Sequence, residues 1–162
     1  MKDYYQYFVN KGNHPDKQDI LDLEKQYQFQ IFNDDQAKLI IEKMIKVSRR
    51  YEKPIAIRIK YEDKVYEYIM EGFNESSKAW LDRKEKVCCE THHSSYYIFL
   101  DNIDSHCYDY MVDDESYGIC GGSFPLIINN EMKGSITVSG LRPQEDHSVI
   151  IDSLKEILEK RG

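Results

Sequence analysis

Residues 121–150 read GGSFPLIINNEMKGSITVSGLRPQEDHSVI, and this stretch decides the fold. Two apolar runs flank a polar break, which predicts a β-hairpin over residues 124–139. Ser139 and Gly140 then form a turn, and Pro143 suits the first turn of a helix. The apolar spacing of residues 150–158 predicts that this helix packs on the sheet and ends the domain.

Two further segments upstream alternate in the manner of strands. PIAIRIKYEDKVYEYIME predicts a second hairpin over residues 54–70, with its turn at YEDK. YQFQIF, residues 27–32, alternates and is rich in aromatic residues, which predicts a lone strand. The two hairpins and the lone strand together predict a five-stranded, largely antiparallel sheet.

Helical segments separate these strands. Asn33 followed by Gln36 predicts a capping box, and the helix that it starts must end before Pro54. Further helices are predicted over residues 16–26, over residues 75–91, and from Ser94 or Ser95 through SYYIFLDN. The predicted order from the lone strand onward is β-α-β-β-α-(α)-β-β-α, an α+β fold with helices covering the sheet.

Length and composition predict one globular domain. The chain has 162 residues, of which 41% are hydrophobic and 31% charged. Residues 1–15 are interpreted as an N-terminal extension and residues 16–162 as the single domain. The four cysteines form no CxxC pair and are expected to be reduced thiols rather than zinc ligands, and no metal site is predicted.

Charge and hydropathy exclude some partners. A net charge of −7 disfavours nucleic acid, because phosphate binding needs a positive surface. No stretch reaches the ~18 apolar residues of a membrane span, and no secretion signal is recognised, so we expect a cytoplasmic protein without membrane contact. The acidic segment 101–115 lacks the spacing of a calcium loop, and residues 101–118 are expected to be irregular and solvated.

Four segments, taken in order, carry a family resemblance. They are LEKQYQFQIFNDDQA, MEGFNESSKAWLDRK, HHSSYY, and GGSFPLIINNEMKGSITVSGL followed by EDH. Together they resemble the UPF0303 family, which belongs with the haem-degrading-domain (DUF336, GlcG/HbpS-like) proteins. The resemblance implies a profilin-like α+β fold and a homo-oligomer. Because relatives in the wider superfamily bind haem or take part in its degradation, it also implies haem as a cofactor to be tested.

Glycines in the family signature mark a first candidate site. Gly121 and Gly122 can adopt positive φ, or they can let a ligand lie against bare backbone before Phe124. The alternative, which we favour, is a structural turn that leads into the strand.

The start of the last helix is a second candidate. After the Ser139–Gly140 turn, free N–H groups can hold an anion such as a carboxylate or a phosphate. Glu145 and Asp146 lie in this first turn, however, and are expected to satisfy the helix start themselves.

Cationic and imidazole side chains complete the predicted set. Arg83 and Lys84 could pair with haem propionates or another carboxylate, or they could form a solvated face or a subunit contact beside Trp80. The favoured interpretation of each histidine is a surface or capping residue, but His93 and His147 are the preferred candidates because they lie inside the family motifs. The predicted ligand-binding residues are Arg83, Lys84, His93, Ser94, Ser95, Gly121, Gly122, Phe124, Ser139, Gly140, Asp146 and His147.

Three functions stay open at this point. The first is an oligomeric ligand-binding protein whose ligand is haem or another small anionic molecule. The second is a protein–protein adaptor, and the third is a small-molecule enzyme of unknown reaction. Cys120 could serve as a nucleophile in the third case, although a small buried thiol is the favoured interpretation.

Overall fold

The computed structural model describes residues 2–159, which form an α+β fold. In chain order, the elements are α1 (Lys2–Val9), α2 (Lys17–Gln26), α3 (Asp34–Ser48), β1 (Ala56–Tyr61), β2 (Lys64–Ile69), α4 (Ala79–Thr91), α5 (Ser95–Ser105), α6 (Asp109–Val112), β3 (Ser123–Ile128), β4 (Glu131–Ser139) and α7 (Pro143–Glu159). Short 3-10 helices, Arg49–Tyr51 and Glu75–Ser77, precede β1 and α4. No helix within this part of the chain is long and apolar enough to cross a membrane.

The four strands form one antiparallel sheet in the order β2-β1-β4-β3. Both predicted hairpins are confirmed, with Tyr61 opposite Lys64 in the first and Ile128 opposite Glu131 in the second. β1 pairs with β4 and joins the two hairpins. Pro125 lies in β3, an edge strand, where the missing N–H of proline is tolerated.

The predicted fifth strand is wrong, because residues 27–32 connect two helices without a ladder of their own. The N–H of Tyr27 still bonds to the last turn of α2, and Asn33 already caps α3. Between them, only Phe29 reaches the sheet, through one parallel bridge to Ile128. The alternation of aromatic residues in this segment therefore reports burial in the core rather than strand pairing.

The main core lies between one face of the sheet and helices α3 and α7. Its buried members include Ile40, Met44, Ile57, Ile59, Phe124, Ile136, Val138, Ile150 and Leu154. A second apolar cluster lies around α5 and includes Val87, Ile98, Phe99, Met111 and Ile119. Each of these fully buried side chains stabilises the fold by roughly 1.5–3 kcal/mol relative to exposure.

Residues 101–118 are more ordered than predicted. Helix α5 continues to Ser105, and α6 follows with Met111 and Val112 buried in the second cluster. The buried Asn102 connects the two helices, since its Oδ1 accepts from the N–H of Tyr108 at 2.7 Å. The acidic residues made this segment look solvated, whereas its few apolar side chains decide where it packs.

Two predicted helix starts are confirmed, one of them only in part. Ser94 caps α5, since its Oγ accepts from the N–H of Tyr96 at 3.2 Å. Asn33 caps α3 and accepts from the N–H groups of Asp35 and Gln36. The reciprocal half of the predicted capping box is absent, because the side-chain oxygen of Gln36 is buried and finds no hydrogen-bond partner within the described chain.

The N-terminal segment folds onto the rest of the chain. The ring of Tyr5 in α1 packs edge-on against Phe99, with 5.3 Å between centroids. After α1, His14 bonds through one ring nitrogen to the hydroxyl of Tyr96 at 2.7 Å and through the other to the carbonyl of Phe8 at 3.0 Å. The boundary at residue 15 stays a prediction, but α1 packs against the second cluster.

Candidate functional site

A cleft of about 200 Å³ lies where α4, the β4–α7 turn and α1 meet. We call it the Lys84 cleft. Its lining residues are Phe8, Ser77, Trp80, Lys84, Cys120, Ser139, Gly140, Leu141, Pro143 and Asp146. Four of the predicted ligand-binding residues are therefore brought together here, namely Lys84, Ser139, Gly140 and Asp146.

A buried ion pair forms part of the cleft wall. The ammonium of Lys84 lies 3.0 Å from Oδ2 of Asp146, and each side chain is only 3% exposed. The same ammonium donates to the carbonyl of Val138 in β4. The other carboxylate oxygen of Asp146 accepts from the N–H of Leu141 at 3.1 Å. The pair thus joins α4, the last strand and the start of α7.

Burial raises the pKa values of two side chains in the cleft wall, Asp146 and Cys120. Loss of solvation raises the pKa of Asp146 to about 7, and the neighbouring Lys84 ammonium offsets this only in part. Burial also raises the pKa of the Cys120 thiol to about 12, so the thiolate needed for nucleophilic attack is scarce at neutral pH. This protonation state favours the interpretation of Cys120 as a small buried thiol. Asp146 titrates near neutrality.

The predicted capping of the last helix is confirmed. Asp146 accepts from the N–H of Leu141, and Oε1 of Glu145 accepts from the N–H of Arg142 at 3.2 Å. Helix α7 begins at Pro143, as predicted. Because side chains already satisfy these two N–H groups, an anion in the cleft depends on Lys84 more than on the helix start.

Gly122 allows Lys84 to reach its partners. Its φ is +130°, and a Cβ at this position would lie 2.8 Å from the Val138 carbonyl oxygen and closer still to the Lys84 ammonium. Gly121 has a different role, since its Cβ would lie 2.5 Å from the carbonyl oxygen of Pro143. Both glycines serve close packing of the backbone, which supports the structural interpretation that we favoured.

Arg83 lies beside the cleft but outside its lining. Its guanidinium stacks 3.8 Å above the centre of the Trp80 ring and 5.2 Å from that of Tyr4. Nε donates to the carbonyl of Tyr117 at 3.2 Å, whereas Nη2 is buried with no hydrogen-bond partner in the described part of the chain. Arg83 is therefore neither a solvated residue nor a direct cleft contact.

His93, Ser94 and Ser95 form a separate polar group that does not line the cleft. Nδ1 of His93 lies 2.8 Å from Oε1 of Glu24, and this hydrogen bond raises the pKa of His93 above its usual value. The N–H of Ser94 donates to the other oxygen of Glu24 at 3.0 Å, and Ser95 bonds to the backbone of Ser123. These contacts hold α2 against the start of α5.

Phe124 and His147 belong to the core rather than to the cleft. The His147 ring lies 5.1 Å from that of Tyr96 and 6.4 Å from that of Phe124. Burial lowers the pKa of His147 to about 4, and its Nδ1 has no hydrogen-bond partner among the residues that the structure describes. Among residues 2–159, no group of three or more histidine, cysteine or acidic side chains is arranged to hold a metal ion.

Six lining residues fall outside the predicted set: Phe8, Ser77, Trp80, Cys120, Leu141 and Pro143. Trp80 was singled out for a subunit contact and Pro143 for a helix start, so their segments were recognised even though their roles were not. Phe8 had no sequence signal, because it lies in the segment interpreted as an extension. Its contact with residues more than a hundred positions away arises only in the fold.

Comparisons with known proteins agree on one family. The family model described as haem degrading protein HbpS-like matches residues 32–155. A UPF0303 protein of Psychromonas ingrahamii is 30% identical over 146 residues, covering 87% of this chain and 92% of that protein. A UPF0303 protein of Streptomyces coelicolor is 26% identical over 149 residues, covering 89% and 94%.

Solved structures share the fold. The Ybr137w protein aligns with a TM-score of 0.78 at 22% identity, over 99% of this chain and 96% of that one. A PduOC–heme complex aligns with a TM-score of 0.66 at 10% identity, over 78% and 95% of the two chains. Klebsiella pneumoniae ORFY, of family DUF336, gives 0.63 at 17% identity, over 79% and 93%. From the family match and the 30% identical relative, this chain belongs to the HbpS-like haem-degrading family and, within it, to the UPF0303 proteins.

Proposed function

We propose that this protein binds a small carboxylate in the Lys84 cleft. The observation that carries the proposal is the buried Lys84–Asp146 pair in the wall of a cavity. Replacing such a pair by apolar residues of the same volume is often neutral or stabilising, so stability alone is a weak reason for it. A strongly perturbed carboxyl beside a cavity supports a binding role instead.

Lys84 supplies the contact for the ligand. A lysine ammonium carries three N–H donors, and two of them are accounted for by Asp146 and Val138. The third has no acceptor among the described residues, and Lys84 lines the cleft, where an acceptor of a ligand can meet it. A carboxylate oxygen is the strongest such acceptor, because both partners of the hydrogen bond are then charged.

Asp146 couples binding to pH. With its pKa raised to about 7, the carboxyl is half protonated near neutrality, and Lys84 is then only partly neutralised. A bound anion favours the protonated form of Asp146 further, because the two negative charges repel each other. We therefore expect the affinity for a carboxylate to fall as pH rises above 7 and to level off below it.

The described cleft does not suit haem, the ligand that the family implies. Its volume of about 200 Å³ is below the roughly 300–1,000 Å³ of pockets that hold drug-sized ligands. None of the lining residues in the described part of the chain is a histidine, and Cys120 holds its proton. Neither a proximal imidazole nor a thiolate is thus presented to a haem iron. A ligand of a few heavy atoms fits the cleft better.

Propionate, titrated between pH 6 and 8.5 and followed by ligand-observed NMR, tests the proposal. We expect a dissociation constant on the order of 1 mM at pH 6. We also expect affinity to weaken up to about tenfold per pH unit above pH 7, the limit for uptake of one proton. Asp146→Asn keeps an oxygen for the Leu141 N–H and should bind propionate with little pH dependence.

Two lysine variants distinguish a specific contact at Lys84 from general attraction between the propionate anion and positive charge on the protein. Lys84→Met should abolish propionate binding, whereas Lys86→Met should leave it unchanged. Lys86 lies on the same helix, but it bonds to Ser116 outside the cleft. Equal binding by wild type and folded Lys84→Met would rule out the proposed contact.

We further propose that the protein assembles into a homo-oligomer in the cytoplasm. The exposed edge of β2 supports assembly, since Val65 is 57% and Tyr68 44% exposed there. Trp80 and Arg83, which the sequence suggested as a contact, already lie against α1. The four unpaired cysteines support a reducing compartment. A mass near the 19.2 kDa of one chain in light scattering would refute the oligomer.

A further inference from the structure

Phe8 of α1 lies between the Lys84 cleft and two neighbouring cavities. Both Phe8 and Pro143 line the cleft, an adjoining cavity of about 390 Å³, and a narrow gap beside His14. Pro143 is fixed at the start of α7, whereas Phe8 lies on a helix of only eight residues. The position of the Phe8 side chain therefore sets how large a molecule the cleft can hold.

Helix α1 has little stability of its own. An eight-residue helix is too short to persist alone in water, so it depends on its contacts with the domain. Tyr4 provides several of these, since its ring packs edge-on against Trp80 at 5.3 Å and its hydroxyl accepts from the N–H of Ile119 at 3.0 Å. Tyr4 also lies 5.2 Å from the guanidinium of Arg83.

With α1 packed against the domain, one polar group beside the Lys84 cleft lacks a hydrogen-bond partner among the described residues. Nη2 of Arg83, whose guanidinium lies against Tyr4 and Trp80, is buried and has no acceptor in this part of the chain. An unmet buried donor destabilises the state that contains it. Because Tyr4 belongs to α1, displacement of this helix would expose the guanidinium to water and so relieve a defect as well as breaking apolar contacts.

We infer that the ligand of the Lys84 cleft is an aromatic carboxylate whose ring takes the place of the Phe8 side chain, so that α1 acts as an internal competitor for the site. This inference rests on the proposed carboxylate contact with Lys84. Phe8 shares the lining of the cleft with Trp80, Leu141 and Pro143, and such an apolar lining suits an aromatic ring. The carboxylate then lies at Lys84 and the ring below α1.

Two acids that share a carboxylate test this inference, namely propionate and 3-phenylpropionate. Wild type should bind 3-phenylpropionate more tightly than propionate. In Phe8→Ala, affinity for 3-phenylpropionate should rise about tenfold further, while affinity for propionate stays within about twofold. Phe8→Leu, which keeps an apolar contact, should show a smaller gain and covers the case in which Phe8→Ala does not fold. Gln6→Ala is the matched control, since Gln6 lies on the same helix but is exposed, and its side chain bonds to Asn10 outside the cleft.

Fluorescence of Trp80, the chain's one tryptophan, reports the movement of α1 independently. Because Tyr4 packs against its ring, 3-phenylpropionate should make Trp80 more accessible to acrylamide, and propionate should not. If propionate binds but the phenyl ring and the Phe8 variants change nothing, this inference fails and the proposed function stands. If neither acid binds to any variant, both fail.

Discussion

Two charged pairs join distant parts of this chain, and they differ in what surrounds them. Lys84 and Asp146 lie 3.0 Å apart with both side chains 3% exposed, and they border a cavity. His93 and Glu24 lie 2.8 Å apart, but the imidazole is 39% exposed. In both pairs each carboxylate oxygen has a donor, but the Lys84 ammonium keeps one N–H that has no acceptor among the described residues. This unused donor beside a cavity indicates a binding site, whereas the bonds of Glu24 to His93 and Ser94 join α2 to the start of α5 and indicate a structural contact.

The largest expected effect tests the buried pair. Asp146→Ala should lower the free energy of unfolding by about 3–5 kcal/mol, because the Lys84 ammonium is left buried without its carboxylate. Lys84→Met should cost less at pH 6 than at pH 8, since the remaining carboxyl can stay protonated at the lower pH. Urea unfolding followed by circular dichroism measures both. A loss below about 1 kcal/mol for Asp146→Ala would show that water reaches the pair freely.

A smaller loss of stability is expected at Gly122, whose backbone lies next to the buried Lys84–Asp146 pair. Gly122→Ala should cost on the order of 1–3 kcal/mol for its positive φ and should also weaken propionate binding, because the new Cβ meets Lys84. Gly72→Ala is the control, since Gly72 also has positive φ but its Cβ would lie 3.7 Å from its nearest neighbour, Pro54. If both variants bind propionate like wild type, Gly122 only relieves strain in the chain.

The smallest expected effect is the loss of the stability that the His93–Glu24 pair contributes. Glu24 raises the pKa of His93, so the pair stabilises the fold fully below pH 6.5, and this contribution is lost as pH rises through the higher folded-state pKa. Glu24→Gln should therefore cost about 1 kcal/mol at pH 6 and less at pH 8.5, with propionate binding unchanged. The same loss at both pH values would mean that the Ser94 N–H, rather than His93, is the important partner of Glu24.

Local signals explain what could be predicted from the sequence. Turn residues and alternating apolar runs define the two hairpins, and Pro143 with its acidic neighbours defines the start of α7, because each feature lies within a few residues. The lone strand failed because aromatic alternation at Tyr27 and Phe29 reports which side chains are buried. It does not report whether the backbone finds a hydrogen-bonding partner.

The cleft was predictable only in part, for a similar reason. Lys84 and Asp146 were both candidates, but their pairing across 62 positions depends on the packing of α4 against β4 and α7. Phe8 was missed altogether, because a short aromatic segment gives no sequence signal of where it docks. Arg83 was an expected ligand contact, yet the rings of Tyr4 and Trp80 hold it to one side.

Asp146 and His147 are adjacent in the chain, and burial has moved their pKa values past each other, to about 7 and about 4. Between about pH 4 and 6.5, folding makes Asp146 take up one proton and makes His147 release one. Each event alone would tilt the stability by about 1.4 kcal/mol per pH unit, and the two slopes have opposite signs. The two contributions therefore oppose each other in mild acid, so the stability of the fold changes less with pH there than either buried residue alone would make it.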